Sequence, residues 1–267
     1  MPAMTLQIKA ITNGLPWVLS VFAVPVLAML VFAVQTSLRG GVQVSERVRK
    51  AGGSVFLNQW VMEYGYWWLN VPVRLLVKYQ ITPNAITWTG CGVVFVGCVL
   101  AALGYFGLAG PLVLCGSLSD MLDGIVARER GLSSDAGEFI DSMVDRYADV
   151  ALYGGLCVYY GDRAWAQGLV LFALLGTVVV SYARAKAESL GVNDAPGSPM
   201  RRAERAVYLG FSIFLAPVVS HFVERGSSRP LYPLVLLACV LIGAITNLSA
   251  MQMMRHIGRA LRPDAAK

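Results

Sequence analysis

Four carboxylates carry the chemistry this sequence can do. Asp120 and Asp123 are three residues apart, and Asp141 and Asp145 are four apart. In a helix both spacings put side chains on one face, a turn from each other. Only a short stretch, about residues 129–134, separates the pairs. The two helices are therefore expected to be antiparallel neighbours whose acidic faces meet. Like charges this close need a cation to hold them. Carboxylate oxygens suit hard divalent ions, Mg²⁺ or Mn²⁺. Such ions commonly act on phosphoryl groups, and a pair of them clamps the attacking and leaving oxygens.

Two other readings fit the spacing. In one, the acids form buried ion pairs, with Arg128 and Arg146 neutralising two of the four. In the other they mark an ion or proton path in a transporter, where intramembrane acids are typical. Transporters often carry paired internal repeats, and the chain shows none. Asp149 extends the Asp141/Asp145 stripe by one more turn and reads as an ion-pair partner for Arg146 or for a neighbouring helix.

These acids sit in a membrane composition. Of 267 residues 56% are hydrophobic and 14% charged, against roughly 25% charged in soluble domains. An apolar stretch of about 20 residues spans a bilayer. The first is Leu15–Val34, which reads as a retained anchor helix rather than a signal peptide because the run is long and Lys9 is the only early basic residue. Six more follow near Ala85–Phe106, Leu108–Ala127, Glu138–Tyr160, Trp165–Ala185, Ala206–Phe222 and Tyr232–Met254. The expected architecture is all-α: an N-terminal anchor and basic linker over 1–53, an interfacial amphipathic helix over 54–80, and a six-helix catalytic membrane domain over 81–267.

The interfacial helix is read from Phe56, Trp60, Tyr64, Trp67 and Trp68 at roughly helical spacing, since Trp and Tyr favour the headgroup level. Pro72 is expected to kink or end it, and Pro83 to mark the turn before the first core helix. Basic residues sort by loop. Arg39, Arg47, Arg49, Lys50, Arg74 and Lys78, then Arg128 and Arg130, the run from Arg184 to Arg205, and Arg255 to Lys267 share one side, against Arg163, Arg225 and Arg229 on the other. By the positive-inside rule the rich side is cytoplasmic, and the acids open towards it. The net charge of +6 reports this bias. No nucleic-acid reading module accompanies it, so no nucleic-acid partner is expected, while anionic lipid headgroups are. The five cysteines lack metal-ligand spacing and read as packing residues. His221 and His256 read as interfacial.

The run Asp120-x2-Asp123-Gly124-x2-Ala127-Arg128-x8-Gly137-x3-Asp141-x3-Asp145 resembles the CDP-alcohol phosphotransferase motif at every position. The resemblance covers about Val71 to Arg259 and leaves the first helix outside it. It implies six transmembrane helices after an interfacial helix, a homodimer, and transfer of a substituted phosphate from a CDP-linked donor, commonly CDP-diacylglycerol, to an alcohol with release of CMP. It implies that Asp120, Asp123, Asp141 and Asp145 hold a divalent metal pair and that Asp145 is the general base. Asp123, Gly124, Ala127, Arg128 and Gly137 would line the nucleotide pocket, with Asn84 and Thr87 touching the CDP group. A catalytically dead homologue is disfavoured because no motif position is substituted.

The acceptor rests on cations downstream. The segment from Ser181 to Glu188 and the run Arg201, Arg202, Arg205 are similar to the phosphatidylinositol phosphate synthase branch. That similarity implies that Arg184, Lys186, Arg202, Arg205 and Arg255 bind the phosphate of inositol phosphate. Arg184 and Lys186 stand in swapped order, Ala203 replaces a common Pro, and the extra N-terminal helix is unusual. Phosphatidylglycerophosphate synthesis, or another polar alcohol, is the alternative. Ordinary positive-inside charge is the plain reading of the same residues.

Overall fold

The computed structural model describes residues 2–38, 41, 59–192, 194–224 and 229–262. Arg39, Arg47, Arg49, Lys50, Phe56, Arg225 and Lys267 lie outside them, as does most of the basic linker. Among the described residues nine helices occur and no strand. They are α1 (Pro2–Thr12), α2 (Leu15–Leu38), α3 (Gln59–Lys78), α4 (Pro83–Ala102), α5 (Phe106–Glu129), α6 (Asp135–Tyr159), α7 (Ala164–Ser189), α8 (Arg202–Val223) and α9 (Pro233–Ala260).

Helices α2, α4, α5, α7, α8 and α9 are long and apolar enough to cross a membrane. Helix α6 carries too many acids for that description, yet its 25 residues reach about 37 Å, enough for a hydrocarbon layer of about 30 Å. It packs against α4 and α7. All six expected core helices are therefore present; five are a few residues longer than the apolar run, while α4 ends at Ala102, four residues short of the expected Phe106, where Gly104 at φ 85 turns the chain.

Local chemistry sets the starts of the helices that matter. Thr82 accepts from Ala85 N at 3.3 Å, with Pro83 at the first turn of α4. Ser134 accepts from Gly137 N at 3.2 Å, and Asp135 and Glu138 follow in the first turn of α6. Both arrangements satisfy free N–H groups, and the acids complement the helix dipole. Gly131, at φ 64, makes the turn between α5 and α6. Close approach seats α6 on α4: a Cβ on Gly155 of α6 would lie 2.5 Å from Cys98 O of α4, so only glycine lets these backbones meet. The core includes Phe106, Leu156, Tyr160, Val170, Ile213 and Ile242.

Two expectations sharpen. Of the two effects expected of Pro72, it does not end its helix, which runs on to Lys78. The aromatics of α3 do more than sit at an interface. Phe32 of α2 is boxed by Trp60, Tyr64 and Trp67, with ring centroids 5.4–5.7 Å apart, and Tyr64 Oη donates to Pro25 O at 2.7 Å. The opposite side of α3 buries Leu69 and Val73 against Ile86, Ile125 and Val126, just behind the acids.

Helix α1 was not expected. It lies at the end of the bundle opposite the acids, and Asn13 locks it there. Asn13 Nδ2 donates to Gly104 O at 2.9 Å and to Tyr232 Oη at 3.2 Å, and its Oδ1 accepts from Gly107 N at 2.9 Å. Lys9 Nζ reaches Leu103 O at 3.2 Å. Burial, then Arg229, lowers the Lys9 ammonium from the usual lysine range.

Candidate active site

The last three turns of α5 and the first three of α6 bring the acids together, but not as directly packed neighbours, as the short connection suggested: both helices pack on α4, which brings their acidic ends to one place. Asp120, Asp141 and Asp145 offer oxygens that all lie within 4.8 Å of one another. Asp141 Oδ1 is buried and makes no hydrogen bond. A buried oxygen left open in a convergent carboxylate set fits a hard cation, so the residues present suit the divalent metal that the motif implies.

Asp123 stands apart from that trio. It is 6% exposed and accepts through Oδ2 from the Thr87 hydroxyl of α4. Thr87 Oγ1 also lies 3.1 Å from Pro83 O. Thr87 and Asp123 thus join two cavities. One is a narrow cleft of about 30 Å³ inside the bundle, lined by Asp120, Asp141, Asp145, Asp149, Arg202 and Cys91 among others. The other is an open groove of about 650 Å³ at the helix ends, lined by Asn84, Gly124, Ala127, Arg128, Gly137 and Glu138 among others. Every residue expected at the nucleotide lines this groove. Gly124 lies beside Arg128 in this groove: a Cβ on it would lie 3.3 Å from Arg128 Nη1.

The five cations expected at the acceptor divide. Arg184, Lys186 and Arg255 are exposed, Arg184 beside Gly197. Arg202 and Arg205, on the first turns of α8, turn inward. Arg202 Nη1 lies 3.0 Å from Asp120 Oδ2 and pairs with Asp145 Oδ1, and its Nε is 3.8 Å from Asp149 Oδ1. Arg205 is 5% exposed, and its Nη1 donates to Met200 O at 3.2 Å. Arg128 lines the groove, while Arg146 comes within 3.8 Å of Asp145. The partner that sequence reasoning missed is Arg202. Its type and position were singled out, but only tertiary packing shows that it reaches the acids. Asp149 pairs with a neighbouring helix, as its place on the stripe suggests. His256 lies 3.3 Å from Asp194.

Known proteins share this frame. The chain is 32% identical to a phosphatidylinositol phosphate synthase of Cutibacterium acnes over 201 residues, 70% of this chain and 92% of that one. It is also 32% identical to one from Streptomyces avermitilis over 174 residues, 62% and 71%. A solved Mycobacterium tuberculosis phosphatidylinositol phosphate synthase with CDP-DAG bound aligns at TM-score 0.59 and 26% identity, covering 69% of this chain and 90% of that one. The same enzyme with manganese and citrate aligns at TM-score 0.61 and 24% identity, covering 73% and 90%, a likeness of fold. The CDP-alcohol phosphatidyltransferase profile matches residues 80–245, which contain the acids, the groove and both inward arginines. This chain therefore belongs to the CDP-alcohol phosphatidyltransferase family of membrane transferases.

Proposed function

We propose that this protein transfers the phosphatidyl group of CDP-diacylglycerol to the hydroxyl of a phosphate-bearing alcohol, inositol phosphate, and releases CMP. The observation that carries this reading is the junction of three elements. Convergent carboxylates at Asp120, Asp141 and Asp145 meet an open groove lined by the motif glycines and two inward arginines, Arg202 and Arg205. The bound CDP-DAG of the Mycobacterium tuberculosis relative supports the donor, and the names of the relatives support the acceptor.

In this reading the groove takes the CDP group, with Arg128 and Asn84 at its polar rim, and the diacylglycerol tail leaves sideways between helices. Asp120, Asp123, Asp141 and Asp145 would hold a Mg²⁺ or Mn²⁺ pair, which supplies positive charge to the phosphates when bound. Asp145 takes the proton of the acceptor hydroxyl, a role open to a carboxylate within hydrogen-bond reach of it. Arg202 and Arg205 orient the acceptor phosphate through the planar, two-pronged donor geometry of guanidinium, and Arg184, Lys186 and Arg255 draw it towards the mouth. The basic loops around that mouth put the site on the cytoplasmic side. The protein works as a homodimer.

The test is a panel assay. Membranes carrying the protein are given CDP-diacylglycerol with inositol 1-phosphate, glycerol 3-phosphate, inositol or serine, and the lipid product is identified. Product from inositol 1-phosphate alone, lost with EDTA and restored by Mg²⁺ or Mn²⁺, is the expected result. Product from glycerol 3-phosphate instead overturns the acceptor, and turnover in EDTA overturns the metal.

A further inference from the structure

We propose that Asp149 is a positioning residue for Arg202: it tethers the guanidinium behind the carboxylates and so limits its competition with a divalent cation for Asp120 and Asp145. This rests on the metal reading above. Asp149 lies one turn past Asp145 on α6, outside the motif, and is 9% exposed. A carboxylate buried this deep needs a partner. Its Oδ1 faces Arg202 Nε at 3.8 Å, its Oδ2 makes no hydrogen bond, and Arg146 and Arg205 flank it.

Arg202 has two ends with two duties. Its Nη1 engages Asp120 Oδ2 and Asp145 Oδ1, which belong to two of the three residues whose oxygens converge. A divalent cation draws on those same two carboxylates, so cation and Nη1 compete for their charge. The opposite edge, Nε, turns to Asp149. Because the guanidinium is a rigid plane, a pivot that shortens the Nε–Asp149 contact swings Nη1 away from the acids. Asp149 thus offers Arg202 a second partner, and Arg202 stays inside the cleft, where the acceptor phosphate arrives, after it leaves Asp120 and Asp145. Without Asp149, only Asp120 and Asp145 hold it.

The experiment reads Mn²⁺ binding, not turnover. The full chain in detergent micelles, with neither lipid donor nor acceptor, is titrated with Mn²⁺ and free Mn²⁺ is followed by electron paramagnetic resonance. Four proteins are compared: wild type, Arg202→Gln, Asp149→Asn and the double variant. Arg202→Gln is expected to bind roughly tenfold tighter, since a competing charge is gone. Asp149→Asn is expected to bind several-fold weaker, with that loss absent in the Arg202→Gln background, the signature of action through Arg202. An equal loss in both backgrounds means that Asp149 acts by its own charge and overturns the proposal. No tightening in Arg202→Gln also overturns it, and that arm decides alone if Asp149→Asn does not fold. Wild type that binds no Mn²⁺ sinks the metal reading itself and the tether with it, a result distinct from the other two.

Discussion

The two ends of this bundle treat buried polar groups in opposite ways. At the end away from the acids, buried polar side chains among the described residues have protein partners that close the structure. Glu224 accepts from Leu231 N at 2.7 Å, Tyr232 N at 3.1 Å and Ser220 Oγ at 2.9 Å. Tyr159 and Tyr160 donate to Pro230 O and Leu231 O at 2.6 and 2.8 Å, and Asn13 spends both its amide groups on the α4–α5 turn. At the acidic end, Asp141 Oδ1, Asp149 Oδ2, and nitrogens of Arg146, Arg202 and Arg205 are buried without hydrogen bonds. Open buried groups are costly, so a fold that avoids them at one end and gathers them at the other separates two jobs. The closed end holds the helices in register, and the open end waits for ligands.

The separation is breakable by mutation, most strongly at Asp145. Asp145→Asn keeps the shape and removes the proposed base. Turnover, read as CMP release from CDP-diacylglycerol, is expected to fall by roughly 10²–10⁴-fold, with the melting temperature in detergent unchanged or raised. Full activity would remove the open end's claim to chemistry.

The closed end predicts the reverse pattern. Glu224→Ala leaves Leu231 N and Tyr232 N without their acceptor, at about 1–3 kcal/mol for each donor that water does not reach. A lower melting temperature with unchanged turnover per folded molecule is expected. Gly107→Ala tests the α1 lock. Its Cβ would collide with Thr12 O, so α1 must shift, at a total of about 1–3 kcal/mol. Loss of turnover before loss of stability in either variant would join the two ends into one functional unit.

How far each end was legible in the sequence follows the same division. The acids were readable because their spacing is local: a helix fixes which side chains share a face, whatever surrounds it. Helix bounds were readable for the same reason; where ends ran long, polar turns such as Arg202–Glu204 and Lys186–Ser189 continue helices past their apolar runs, and α4 stopped short at Ala102 because Gly104 turns the chain. What stayed hidden depends on partners far along the chain. Asn13 and Gly104 are 91 residues apart, and nothing in the polar Thr12–Gly14 turn announces its acceptor. Arg202 was assigned to an incoming phosphate because no local pattern could set its distance from acids on two other helices. Pro72 does not end α3, whose Leu69 and Val73 on either side of it are buried in a shared cluster.

Thr87 gives the smallest effect and the sharpest question, because it lines both the cleft and the groove. Its hydroxyl was assigned to the nucleotide, yet it donates to Asp123. Thr87→Val keeps the branched shape and removes the donor. Turnover should fall about fivefold, close to 1 kcal/mol, the size of one net hydrogen bond. If Thr87 orients Asp123, the fall lies in kcat, KM for CDP-diacylglycerol is unchanged, and Thr87→Ser recovers most of it. If Thr87 touches the CDP group, KM rises and kcat holds. The first outcome makes Thr87 part of the open end's carboxylate scaffold. The second makes it a wall of the groove and leaves Asp123 to find its partner in the bound metal.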